Sequence, residues 1–149
     1  MATTDSSTDP GTDPGGLERL SRAECYDLIA TVPIGRIVFT EGALPAIQPV
    51  NFALDGDAVV IRTRVGSKLV AAARSAVVAF EVDDYDGVTM TGWSVVLIGR
   101  AEPVTAPADL ERVRALQLMP WALGDRPAFI RIAPEMVRGR RIVSSWPAM

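Results

Sequence analysis

The stretch Gly56–Leu69, GDAVVIRTRVGSKL, decides how the rest of the chain is read. It begins in a tight Asp55-Gly56-Asp57 turn and runs into the apolar segment Ala58–Thr63, which has the composition of a strand. A Gly-Ser turn follows, and the short alanine-rich segment 66–74 reads as a helix. Arg62, Thr63, Ser67 and Lys68 thus gather at a strand–turn–helix junction. Lys68 is the sole lysine, against fourteen arginines. An ammonium is a compact point charge suited to phosphate oxygens, whereas a guanidinium fork suits flat bidentate partners. Arg62 and Arg64 flank Thr63 and share one strand face. Two readings stay open at this level. One is a cradle for a phosphate monoester, with Ser67 and Lys68 at the positive start of the helix. The other is a simple N-cap at Ser67 beside surface arginines.

Upstream, Ser21 and Glu24 form a capping box with Leu20 as a hydrophobic staple. Cys25, Leu28, Ile29 and Val32 continue at helical spacing until Pro33 and Gly35. Cys25 is read as a small core residue. From Arg36 the period changes to two. Strands are expected at Arg36–Thr40, Ala46–Leu54, Ala58–Thr63 and Val77–Val82, with a loop at Glu41–Pro45. A long, bent or bulged strand is expected at Gly92–Val104, then a helix at Pro107–Leu118. A last strand, Phe129–Ile132 and Met136–Ile142, is expected to break at Pro134. Six strands with short turns and peripheral helices predict a mainly β (α+β) fold, a small closed barrel.

The chain has 149 residues, is 48% hydrophobic and 22% charged, and is sized for one domain with a real core. Residues 1–16 carry Asp5, Asp9 and Asp13 and no base, so they read as a disordered tail, and 17–149 as the folded domain. Without those three acids, bases and acids balance, and no basic block suggests nucleic acid. No apolar run suits a membrane span, no secretory signal is visible, and a single cysteine fits a reducing, cytoplasmic setting. The absence of histidine removes histidine-ligated metal or haem and a histidine base.

Several motifs in this order carry a resemblance. Pro49–Phe52 reads PVNF, followed by the Gly56–Leu69 stretch; Gly92–Ala101 reads GWSVVLIGRA; Leu20–Ile29 reads LSRAECYDLI; Gly139–Ile142 reads GRRI. Over residues 17–142 the chain resembles the pyridoxamine phosphate oxidase-like flavoproteins, the FMN-binding split β-barrel superfamily, in its small actinobacterial-type members. The resemblance implies a homodimeric six-stranded split barrel that binds FMN between protomers. It implies that Arg62, Thr63, Ser67 and Lys68 hold the flavin phosphate. It implies that Gln48, Pro49, Val50 and Asn51 run beside the ring, and that Trp93 and Ser94 come from the partner protomer. Trp93 as a dimer-interface anchor and Asn51 as a strand-edge residue remain alternatives. Trp121 either lines the pocket or caps the core. Arg138, Arg140 and Arg141 either attract an anion or form a solvated basic strand end. The acidic run Glu81, Asp83, Asp84 and Asp86 is expected to face water.

The missing histidine departs from true pyridoxamine phosphate oxidases and argues against pyridoxine chemistry. The expected function is an FMN-dependent reductase of a small acceptor, with a small-molecule electron donor. A deazaflavin-dependent reductase, with Arg36, Arg138, Arg140 and Arg141 forming a basic groove, is one alternative. A non-catalytic flavin-binding dimeric module is the other.

Overall fold

In a computed structural model of the chain, residues 11–12, 17–119 and 126–143 are described. The elements in chain order are β1 (Glu18–Leu20), α1 (Arg22–Ile29), β2 (Ile34–Glu41), β3 (Leu44–Asp55) and β4 (Ala58–Arg64). Then come α2 (Lys68–Ala73), β5 (Ala76–Asp86), β6 (Thr91–Pro103), α3 (Pro107–Arg114) and β7 (Pro127–Ile142). One antiparallel sheet runs β1-β7-β4-β3-β2-β5-β6, and a further β6–β7 ladder closes six of its strands into a ring. The six-stranded barrel read from the sequence is the observed fold.

Alternation along the strands fills the ring. Ile37, Phe39, Val50, Phe52, Val59, Ile61, Phe80, Val82, Val95 and Leu97 are buried inside it. Phe52 meets Phe80 edge-on, with ring centroids 5.0 Å apart. Helix α1 and Cys25 close one end of this core, and Leu69 and Ala73 of α2 join it. A second, smaller core lies outside the ring, where Val113 and Leu118 cover Val60 and Phe129.

Local chemistry explains most boundaries. The Ser21 hydroxyl accepts from Glu24 N at 3.2 Å, and Glu24 accepts from Ser21 N at 3.3 Å, completing the expected capping box. The expected loop Glu41–Pro45 is corrected to a two-residue hairpin turn. Gly42 and Ala43 both take positive φ there, so the strands extend to Glu41 and Leu44. The predicted break at Pro134 is also corrected. β7 is continuous, and its register against β6 shifts at Ile98/Gly99, so Pro134 and Glu135 sit at a bulge. α3 stops at Arg114 instead of Leu118, because Gln117 has positive φ. β5 runs through Asp86, past the predicted end at Val82. Trp121 and most of the predicted tail lie outside the described residues. Gly11 and Thr12, within that predicted tail, pair with β1: Thr12 bridges Glu18, and Arg19 N donates to Gly11 O at 3.0 Å.

Candidate functional site

The site begins where two strands part. The β3–β4 ladder stops at the pair Phe52↔Ile61. Beyond it, β3 continues only on β2 through Asn51–Leu44, and β4 continues only on β7 through Arg62–Arg64. The facing edges of Gln48–Asn51 and Arg62–Arg64 therefore lack each other's ladder bonds, and backbone groups along them are available to another partner. Two of the three groups of residues singled out in the sequence flank this opening.

At its tip the turn is built from side chains. Thr63 Oγ1 donates to Ser67 Oγ at 3.2 Å, and Ser67 Oγ accepts from Val70 N at 3.1 Å. Ser67 is thus the N-cap of α2, as one reading of the sequence had it. Gly66 takes φ +78°, a conformation that suits glycine. Lys68 is 86% exposed and sits 3.6 Å from Glu41 at the end of β2. Such an exposed pair is weak and leaves the ammonium free to move to a stronger anion. Arg62 Nη1 donates to Leu118 O at 2.8 Å, while its Nε is buried with no acceptor. Asn51 Nδ2 donates to Met119 O at 2.7 Å. The segment after α3 therefore crosses the opening on carbonyls held from both of its edges. This linkage could not be anticipated from spacing, since Arg62 and Leu118 are far apart in sequence.

Within the PVNF segment, Val50 and Phe52 are buried in the barrel core, while Pro49 is exposed and Asn51 half-buried. Trp93 and Ser94 do not meet the cradle within one chain. Arg62 pairs with Phe129 at the start of β7, and Trp93 pairs with Arg141 at its end. That separation is roughly 40 Å of extended strand at about 3.3 Å per residue. Trp93 packs on the core, between two surface clefts lined by Asp84 and Tyr85 and by Arg141 and Ile142.

The remaining charges are mostly committed. Arg141 pairs with Glu18 at 3.2 Å and Glu24 at 3.7 Å. Arg36 Nη1 holds both Glu81 and Asp83 at 3.3 Å. Arg36 and Arg141 therefore do not combine into one open basic groove. In the acidic run, Asp83, Asp84 and Asp86 are exposed as expected, but Glu81 is half-buried. Burial, and then the Asp83 carboxylate beside it, push Glu81 up to about 7 from the ordinary 4.5, against the opposing pull of Arg36. Among the described residues no cluster of histidine, cysteine or carboxylate side chains suits a metal, and no helix is long and apolar enough to cross a membrane.

Residues 21–141 match the family model described as pyridoxamine 5′-phosphate oxidase. An uncharacterized protein of Mycobacterium tuberculosis is 44% identical over 130 residues, covering 84% of this chain and 85% of its own. The FAD binding protein of Mycobacterium smegmatis is 39% identical, with TM-score 0.71, covering 83% of this chain and 95% of its own. A Corynebacterium glutamicum structure named for pyridoxamine 5′-phosphate oxidase is 32% identical, with TM-score 0.75, covering 85% of this chain and 98% of its own.

Proposed function

The chain belongs to the pyridoxamine 5′-phosphate oxidase family, and from that premise we propose that it is a flavin-binding oxidoreductase that reduces a small acceptor. The observation that carries this reading is the parting of β3 and β4 beside the Thr63–Ser67 turn. The residues present fit a flavin. The opening offers backbone donors and acceptors from Gln48–Asn51 to a flat heterocycle. Thr63, Ser67 and Lys68 offer hydroxyls and a mobile cation to a phosphate. The buried Nε of Arg62, costly to leave without an acceptor, is satisfied by an anionic oxygen. The mycobacterial relative named for FAD binding supports the same cofactor class.

A bound flavin supplies hydride and electron transfer. The protein's work is then to hold, orient and dry the reactants, which needs no histidine base. Arg62 and Lys68 fix the phosphate end. The Gln48–Asn51 backbone fixes the ring edge, and the Leu118–Met119 segment shields the opening. Trp93 and Ser94 complete the site from a second protomer, since their own chain holds them far from the cradle.

The absorption spectrum of freshly purified protein tests the cofactor class, with flavin bands expected. Anaerobic mixing with NADH, NADPH or a reduced deazaflavin should bleach those bands, and quinone-like acceptors should restore them. A flavin that no donor reduces would leave a binding module and end the enzyme reading.

A further inference from the structure

The cradle turn has a second side. On the β3 side of β4 lies the strand opening; on the β7 side lies a groove of about 690 Å³ between α2 and α3. Its near edge is Val65, Gly66 and Ser67, the cradle turn itself, and its wall includes Val104, Leu110 and Phe129. Arg74, at the C-cap of α2, and Arg114, the last residue of α3, stand on its lining. We propose that this groove takes the adenosine-phosphate half of a dinucleotide flavin whose ring half lies in the strand opening. The proposal rests on the flavin reading above and goes beyond it by choosing a dinucleotide over FMN and by assigning Arg74 and Arg114 to its second phosphate.

Three features carry it. The first is continuity: Ser67 belongs to both the cradle and the groove, so a ligand whose first phosphate sits at the turn has its extension led straight into the groove. The second is charge. Arg36, Arg112, Arg131 and Arg141 are all ion-paired, whereas the guanidinium groups of Arg74 and Arg114 have no hydrogen bond or ion pair among the described residues. Two unpaired forks on the lining of one groove complement the ionised oxygen of a dinucleotide's second phosphate, which carries a single negative charge. The third is shape and polarity. The volume falls in the range of about 300–1,000 Å³ that small-molecule sites occupy, and the aliphatic wall of Val65, Val70, Val104 and Leu110 suits the flat face of a purine. FMN ends at its phosphate and would leave both arginines and the wall unused.

Calorimetric titration of the flavin-stripped full chain with FAD and with FMN tests the proposal. FAD should bind the wild type at least tenfold more tightly than FMN. The double variant Arg74→Ala/Arg114→Ala, and separately Ala71→Trp, which fills the groove from an exposed position, should erase that margin while leaving FMN affinity within about twofold. Lys68→Ala should weaken both flavins alike, which marks the shared phosphate. Circular dichroism melting confirms that each variant is folded. Equal wild-type affinity for the two flavins, or groove variants that weaken FMN as much as FAD, would overturn the groove assignment and leave the flavin site standing. Binding of neither flavin would overturn both.

Discussion

Arg62 and Lys68 flank the same turn but are held in opposite ways, and their variants should separate accordingly. Lys68 reaches only Glu41 through solvent, so Lys68→Ala should leave the melting temperature nearly unchanged. Arg62 is half-buried and holds the Leu118 carbonyl, so Arg62→Ala should cost about 1–3 kcal/mol of stability as well. Both should weaken flavin binding roughly ten- to a hundred-fold, read by titration of stripped protein. If Lys68→Ala leaves flavin affinity unaltered, the cradle is misassigned. Glu81 supports a separate prediction at this scale. Its folded-state value is raised to about 7, so between about pH 4.5 and 7 the folded form holds more protons than the unfolded one. The contribution to stability is full below that window and is lost as pH rises through it. Melting curves of the wild type and Glu81→Gln between pH 5 and 8 should converge in slope only if this group is silent; a flatter profile is expected for the variant.

At the scale of elements, the ladder between β6 and β7 closes the barrel, and Gly99 sits at its irregular point. A Cβ there would lie within van der Waals radii of the Ala133 carbonyl and of Pro134, both backbone on the facing strand. Gly99→Ala should therefore force the bulge to move and destabilise the fold by about 1–3 kcal/mol, seen in urea unfolding. A midpoint equal to that of the wild type would show that the bulge yields freely. The same element explains what the sequence could not reveal. Six strands were legible because buried and exposed residues alternate from Arg36 onward. Pro134 read as a break because proline lacks a donor, yet at a bulge none is required. β1 escaped notice because three residues carry no period, and its partner Gly139 is remote in sequence. The residues proposed for the cradle lie within Arg62–Lys68, close enough in sequence to be read together. The opening that faces them is a property of register, since it exists only because β3 and β4 choose different neighbours after Phe52 and Ile61.

Among the described residues, an apolar row on the outside of the barrel is left uncovered. Cross-strand register lines up Ile47, Val38, Ala79, Ile98 and Met136 in one row over β3, β2, β5, β6 and β7. Val38, Ala79 and Ile98 each lie between two buried neighbours, so the row faces outward; Ile47 is 68% exposed and Met136 40%. The adjacent row carries Pro49, Arg36, Glu81, Val96 and Arg138. An apolar stripe bordered by a row that holds the Arg36–Glu81 ion pair and Arg138 suits a two-fold interface, in which the stripe meets its own copy and the charges form the rim. The Asn51 edge of the opening between β3 and β4 adjoins this same face, beside Ile34. Dimerisation there would bring a partner's residues toward the opening, which is what Trp93 and Ser94 need in order to act on a cradle their own chain cannot reach. Ile47→Arg places a charge at the β3 end of the stripe, where the side chain is 68% exposed, so the barrel itself should fold. The wild type should sediment as a dimer at micromolar concentration and the variant as a monomer. On the proposed two-protomer site, flavin affinity should fall at least tenfold in the monomer. A wild-type monomer that binds flavin tightly would place the complete site in one chain and remove any part for Trp93 and Ser94.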